Sequence, residues 1–160
     1  MARSKSYLPL QTVIVTARSK GFDNATTFSW HNPLSMEPFL YGIQVRKSRK
    51  IYEMILESRS FCVNFLGGDQ EETAMFCGTK SGSQIDKFKE GKIAKEECEA
   101  IDCPRIAGCP AYLECKLVKV LEITPESDHV IFVGEVAKEI NVRESKRLLQ
   151  NDWYGFTTEK

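Results

Sequence analysis

Two long β-rich stretches, residues 112–124 and 129–140, are separated only by Pro125-Glu126-Ser127-Asp128. Val, Ile, Leu and Phe recur through both, and the break between them is turn chemistry, so the pair predicts a long antiparallel hairpin. Shorter segments of the same character lie upstream. Residues 11–17 are β-branched. Residues 25–31 alternate small or hydroxylated side chains with Phe28 and Trp30, before Asn32-Pro33 breaks the run, and residues 39–45 and 60–66 read as further strands. Six or more strands with only short helices indicate a mainly antiparallel sheet, and closing such a sheet removes its exposed edges. The expected fold is mainly β, a barrel with short peripheral helices.

The helices are predicted from periodicity and caps. Ser48 is placed to cap a helix whose Ile51, Met54 and Ile55 follow helical spacing. Asp69-Gln70-Glu71-Glu72 reads as a capping box opening a second helix through Phe76, Ile85 to Phe88 as a helical turn, and residues 143–150 as a closing helix. Residues 90–110 are charged, contain Cys and Pro, and read as irregular. Ser19 to Asn24 is a turn.

A chain of 160 residues suits one domain, 1–160, with its own core. Lys plus Arg number 22 and Asp plus Glu 22, a balance that argues against a nucleic-acid binder. No apolar run approaches the roughly 20 residues of a spanning helix. The stretch Met1-Ala2-Arg3-Ser4-Lys5-Ser6 is basic with no apolar segment behind it, unlike a secretory signal. The expectation is a soluble, cytoplasmic protein with no membrane partner. Its six cysteines, Cys62, Cys77, Cys98, Cys103, Cys109 and Cys115, are then free thiols by default. Cys62 reads as a buried small hydrophobe. No pair has the Cys-x-x-Cys spacing of common zinc or redox sites, so no metal is expected; a disulfide among Cys98, Cys103 and Cys109 and a metal site both stay open as alternatives.

Charge is distributed oddly at one place. Arg46-Lys47-Ser48-Arg49-Lys50 crowds the start of the first helix, where unpaired N–H groups and partial positive charge favour acidic residues. An anion would resolve the conflict, because a phosphate there meets helix N–H groups, a hydroxyl and several cations together. The alternative is a solvated basic turn. Small and hydroxylated residues in Asn24-Ala25-Thr26-Thr27-Phe28-Ser29-Trp30 leave room for a flat ring to approach the backbone, or else form a wet polar face. Asn64 interrupts an apolar strand and needs partners, either a heterocycle edge or a neighbouring turn. With only His31 and His129, a histidine metal site is not expected. There is no Gly-x-Gly-x-x-Gly after a strand, no phosphate loop ending in Gly-Lys-Ser/Thr and no evident Ser/His/Asp or Cys/His set.

Taken in order, several segments resemble one family. Asn24 to Trp30 followed by Pro33-Leu34-Ser35 and Pro38, Arg46-Lys47-Ser48-Arg49 before a helix, Phe61-Cys62-Val63-Asn64, Ser81-Gly82 with Asp86-Lys87-Phe88, and Asp128 to Val136 are together similar to the flavin reductase-like, FMN-binding split-barrel proteins, flavoredoxins and archaeal ferric reductases among them. The resemblance implies a six-stranded Greek-key split barrel, a homodimer and one non-covalent FMN per subunit. By position it implies that the stretch from Ala25 to Ser29, with Thr26 and Thr27, faces the flavin ring through backbone and hydroxyl groups, that Asn24 and Trp30 also bind the cofactor, and that Arg46, Lys47, Ser48 and Arg49 hold the phosphate. It places Asn64 near the flavin, with Lys87 and His129 closing the site or meeting the reductant. The implied activity passes electrons from NADH or NADPH through FMN to free flavin, ferric iron, oxygen or a partner protein; a flavoredoxin-like carrier without direct NAD(P)H oxidation is the alternative. Residues 98–109 are not part of the family pattern, and the tail Asn151 to Phe156 matches it only loosely.

Overall fold

The computed structural model describes residues 5–160; the first four residues of the basic N-terminal stretch lie outside the described residues. In chain order, the first strands are β1 (Leu10–Gln11), β2 (Val13–Ser19), β3 (Phe22–Phe28), β4 (His31–Met36) and β5 (Phe39–Arg46). Helix α1 (Lys50–Ser58) and strand β6 (Ser60–Phe65) follow, then a 3-10 turn at Gly68–Gln70, helix α2 (Glu71–Thr79) and helix α3 (Lys87–Glu90). The remainder is strand: β7 (Lys95–Glu97), β8 (Pro104–Ile106), β9 (Ala111–Glu122), β10 (His129–Asn141), β11 (Leu148–Asp152) and β12 (Gly155–Thr158).

Seven strands form the main sheet in the order β3-β2-β6-β9-β10-β5-β4, every neighbouring pair antiparallel. Its two edge strands, β3 and β4, are consecutive in the chain and joined only by Ser29-Trp30, so the two ends of the sheet lie next to each other. Side chains also reach across. His31 Nε2 donates to the Gln11 carbonyl at 2.9 Å, leaving Nδ1 to accept from the Tyr41 hydroxyl at 2.7 Å, and the His31 and Tyr41 rings both meet Phe65. The result is the expected split barrel, with one strand more than the six the resemblance implies. The extra strand is β4. Asn32-Pro33 does not end a strand there, because β4 is an edge and a proline without an N–H costs no ladder bond on the open side.

Strand alternation builds a core on each side of the sheet. Val13, Val15 and Ala17 turn inward with Ile43, Val45, Phe61, Val63 and Phe132, and α1 adds Ile51, Met54 and Ile55 to that cluster. On the other face Ile14, Cys62 and Tyr112 pack under α2, α3 and β8 with Ala74, Cys77, Phe88 and Ile106. Between β2 and β3 the chain reverses through Lys20 and Gly21, both at positive φ (52° and 76°), the two-residue turn that matches strand twist. The strand therefore begins at Phe22, and the turn is far shorter than Ser19 to Asn24.

Other expectations are corrected. Residues 143–150 are not helical: Leu148 is fully buried, its N–H donates to Leu66 at 3.1 Å and its carbonyl accepts from Thr12 at 2.8 Å, so the segment becomes β11 against β1 and β12. Helix propensity is a weak prior when a distant backbone offers partners. Ser48 does not cap α1; Arg49 occupies that position with no side-chain bond. Asp69 does not cap α2 either, because it pairs with Arg143 at 3.1 Å, and the Gln70 side chain instead accepts from Gly67 N–H at 3.0 Å. Residues 90–110 are not wholly irregular, since they contain the β7–β8 hairpin. All six cysteines are free. Among the described residues no helix is long and apolar enough to cross a membrane, and no group of three or more His, Cys, Asp or Glu side chains is arranged to hold a metal ion.

Candidate functional site

The site lies where the edge strand β3 meets α2 and the start of α1. At Ala25 the N–H donates to Asn24 Oδ1 at 2.9 Å and the carbonyl accepts from Lys87 Nζ at 2.7 Å, so both groups point away from β2. In an antiparallel strand the N–H and C=O of one residue share a side, and the residue two further on repeats it. Backbone groups of Thr27 therefore face the same open edge. That edge forms one wall of a cleft of about 520 Å³ that includes Thr26, Thr27, Ser29 and Trp30. The volume is within the range of small-molecule sites, and the walls mix aromatic with polar groups.

Several distant elements complete the cleft. Gln44 and Arg46 come from β5, Met75 and Gly78 from α2, Asp128 and His129 from the start of β10, and Trp153 and Phe156 from the β11–β12 hairpin. The Trp30 ring lies 5.1 Å from that of His129 and meets Tyr7 edge-on at 6.2 Å. Asp128 Oδ1 is 2.7 Å from His129 Nδ1, which places the Nδ1 proton toward the carboxylate and leaves Nε2 as the ring's other polar atom. The bond to His129, with the Arg46 guanidinium 3.5 Å from Oδ2, holds the Asp128 carboxyl below the usual carboxylate range. Thr27 Oγ1 donates to the Ala74 carbonyl at 2.6 Å, so this hydroxyl fastens α2 to β3 and its proton is not available to a ligand.

A second, smaller pocket of about 200 Å³ shares Thr26, Arg46 and Arg49 with the first. Its remaining walls are Asn24, Ser48, Lys50, Lys80, Ser81, Gly82 and Lys87, with no acidic residue among them. Lys50 pairs with Glu53 at 2.9 Å, whereas Arg49 and Lys80 make no ion pair among the described residues. Helix α1 opens onto this pocket without a side-chain cap; Lys50 at its start is offset by Glu53 in the first turn, and its last turn carries Glu57 and no basic residue. Gly82 brings backbone against Asn24: a Cβ there would stand 2.6 Å from Asn24 Cγ, so a larger residue would displace either the Asn24 amide, which holds the Ala25 N–H, or the loop.

Lys87 is the buried member of the cation set. Asp86 caps α3 by accepting from Phe88 N–H at 3.0 Å and Lys89 N–H at 3.1 Å. This turns Lys87 inward, where it is 2 % exposed and donates to Ala25 and Cys77 carbonyls, each at 2.7 Å. Burial, with Arg49 as a nearby like charge, lowers its pKa from 10.5 to about 8. The sign of this shift gives two opposed expectations. Between about pH 8 and 10.5 the unfolded chain binds the proton that the fold has released, so the ligand-free protein gains stability as pH rises through that window. Affinity for a phosphate, which needs the ammonium, falls over the same window by at most about tenfold per pH unit. Chemical denaturation and FMN titration at a series of pH values check the pair, and Lys87→Met should flatten both profiles.

The structure brings together most of the residues expected from sequence: Asn24, Thr26, Thr27, Ser29, Trp30, Arg46, Ser48, Arg49, Lys87 and His129 all line one pocket or the other. Three stand apart. Asn64 is fully buried and lines neither pocket: its amide nitrogen donates to Ile14 O at 2.9 Å and Thr16 Oγ1 at 3.1 Å, and its oxygen accepts from Ile106 N–H at 2.7 Å. Neither expected partner, a heterocycle edge or a turn, is what it meets here: strands β2 and β8 supply its hydrogen bonds. Lys47, just after the end of β5, lines neither pocket and pairs with Glu122. Ala25 contributes only its backbone, through Lys87. Sequence reasoning missed Lys80, Met75 and the aromatic wall of Tyr7, Trp153 and Phe156; the one signal for them was the density of aromatic side chains in residues 153–156.

A phosphorylated flavin suits this donor set. A dianionic phosphate would find Arg49 and Lys80 without carboxylate partners, a hydroxyl at Ser48 and the uncapped start of α1. A planar heterocycle would find the open backbone edge of β3 and, in the cleft wall, Gln44 Oε1, which is buried without a hydrogen-bond partner among the described residues.

Comparison with known proteins follows the same line. The family model of the flavin reductase like domain matches residues 4–154. An uncharacterised protein of Archaeoglobus fulgidus is 31% identical over 128 residues, which are 80% of this chain and 70% of that protein. The NADH-dependent FAD reductase of Streptomyces globisporus is 32% identical over 105 residues, 64% of this chain and 54% of that one. Among solved structures, the flavoredoxin of Methanosarcina acetivorans superposes with a TM-score of 0.84 at 26% identity, over 100% of this chain and 91% of that chain.

Proposed function

The chain belongs to the flavin reductase-like family, and on that premise we propose that it is an FMN-dependent oxidoreductase that takes electrons from NADH or NADPH and passes them to a small acceptor or a partner protein. The observation that carries the reading is the joining of an aromatic-walled cleft to an acid-free basic pocket through Thr26, Arg46 and Arg49. One end of such a site suits a ring and the other a phosphate, which is the shape of FMN. The NADH-dependent reductase among the relatives supports a nicotinamide as the donor.

FMN supplies the redox chemistry when bound, accepting a hydride at its ring and releasing electrons afterwards. The protein binds and orients. Arg46, Arg49, Lys80 and Lys87 hold the phosphate end by charge-assisted bonds. The Thr27 N–H, on the open edge of β3, would face a ring in the cleft, where a donor favours charge that develops on reduction. Trp30 and His129 stand together in the cleft wall as a surface against which a nicotinamide can stack, and the Asp128 contact fixes the imidazole's orientation there. No side chain need act as a general acid or base for hydride transfer. Anaerobic mixing of the FMN-loaded protein with NADH or NADPH tests the reading. Bleaching of the flavin absorption within seconds is expected; an unbleached flavin with both nucleotides would leave the flavoredoxin-like carrier as the function.

A further inference from the structure

The cysteine-containing segment that the family pattern does not explain forms a hairpin with a chemical arrangement of its own. Strands β7 and β8 pair Lys95 with Ile106, Glu96 with Arg105 and Glu97 with Pro104. One step on in that register Cys98 opposes Cys103, and the Cys98 N–H donates to the Cys103 carbonyl at 2.9 Å. Opposed residues of an antiparallel pair share a face with Cα atoms about 4.5–5.5 Å apart. That separation is inside the window a disulfide requires without backbone movement.

The two thiols are chemically unequal. Cys103 is fully buried, and its Sγ lies 3.2 Å from the Thr16 carbonyl; Cys62 is buried on the neighbouring β6. Burial pushes both of those thiols up. Cys98 is half-buried at the surface. The neighbouring Cys103 and Cys62 thiols first, and the Arg105 charge after them, hold the Cys98 thiol well below the ordinary range. The loop after it is anchored. Buried Glu114 accepts from Glu99 N–H at 3.0 Å and Ala100 N–H at 2.6 Å, while Arg105 stands 3.6 Å from the carboxylates of Glu99 and Glu114. An activated, reachable thiol beside a buried partner thiol is the arrangement of a redox-responsive pair.

We propose that Cys98 and Cys103 form a reversible dithiol–disulfide pair that reacts with hydroperoxides, Cys98 as the attacking sulfur and Cys103 as the resolving one. In the first step the Cys98 thiolate attacks a peroxide oxygen. The O–O bond breaks, the leaving hydroxide takes a proton to become water, and Cys98 becomes a sulfenic acid. Cys103 then loses its proton and attacks the Cys98 sulfur, the S–O bond breaks and a second water leaves. Two thiols and one hydrogen peroxide give one disulfide and two waters, with two electrons moving from sulfur to oxygen. This inference is independent of the flavin site.

The test uses the full reduced chain with one equivalent of hydrogen peroxide. The intact mass should fall by two hydrogens and return on adding dithiothreitol, and cleavage after Glu99 should leave the two fragments joined through Cys98 and Cys103. Cys103→Ser should accumulate a sulfenic acid at Cys98 that dimedone labels. Cys98→Ser should react with peroxide at least about tenfold more slowly than the natural chain. An unchanged mass, a disulfide mapped to another pair, or Cys98→Ser reacting at full rate overturns the proposal. Should Cys103→Ser not fold, alkylation of Cys98 in the natural chain decides. With the Cys103 and Cys62 thiols and Arg105 beside it, and Glu96, Glu99 and Glu114 paired to that arginine, the rate should stay nearly level from about pH 8 to about pH 6, where an ordinary thiol slows by about tenfold per unit. An ordinary slope rejects Cys98 as the attacking thiolate.

Discussion

Arg46→Ala combined with Arg49→Ala should weaken FMN binding by roughly 2–4 kcal/mol, about 30- to 900-fold in Kd, if each charge-assisted bond contributes about 1.5–3 kcal/mol and the losses are partly shared. The two arginines do not contribute equally. Arg46 is already engaged with Asp128 at 3.5 Å, whereas Arg49 makes no ion pair among the described residues and is the larger single loss. Lys50, Lys80 and Lys87 remain in the pocket of the double variant, which is why binding is weakened and not abolished. Lys47→Ala is the control. Its side chain pairs with Glu122 outside the pocket, so Kd should stay within about twofold and stability within about 0.5 kcal/mol. Flavin fluorescence titration of the variants measures all of these.

The second large effect concerns stability. Phe132→Ala should cost about 3–5 kcal/mol of unfolding free energy, the range for an aromatic side chain truncated in a core. Phe132 is fully buried on β10, between Ile43 of β5 and Val120 of β9, and stacks on Tyr52 of α1 at 5.3 Å. Helix α1 has no side-chain cap and no basic residue in its last turn, so packing against the barrel interior holds it. Loss of Phe132 removes part of that packing from the helix whose start lines the phosphate pocket, and FMN affinity should fall with stability. Phe22→Ala is the comparison. Phe22 is 37 % exposed beside the β2–β3 turn, and the loss should be much smaller. A urea midpoint lowered equally in both variants would contradict this account of the core.

Local pattern carried much of the fold. The β9–β10 hairpin, β2, β5, β6 and α1 follow from apolar periodicity and turn residues, because their partners are near in sequence or their apolar faces are unmistakable. What was illegible depends on distant contacts. Residues 143–150 contain good helix formers, but Thr12 and Leu66 supply backbone partners that only the folded chain brings to Leu148. Arg46 and Lys47 look alike in sequence, yet Arg46 ends β5 and lines the pocket, whereas Lys47, the first residue of the turn that follows, pairs with Glu122. Asn64 looked like a ligand group because a buried amide demands partners; β2 and β8, the latter read as irregular, provide them. The aromatic side of the cleft assembles from Tyr7 and residues 153–156, at opposite ends of the chain, and no local signal joins them.

The central claim is that the basic pocket at the start of α1 receives the phosphate of a flavin whose ring occupies the adjoining cleft. Parallel titration of the natural chain with FMN and with riboflavin, which has the ring but no phosphate, tests it most directly. FMN should bind tighter than riboflavin by about two orders of magnitude, roughly 3 kcal/mol, and Arg46→Ala with Arg49→Ala should remove most of that preference while leaving riboflavin binding nearly unchanged. Equal affinity for the two flavins, or a preference for FMN that survives loss of both arginines, would contradict the assignment.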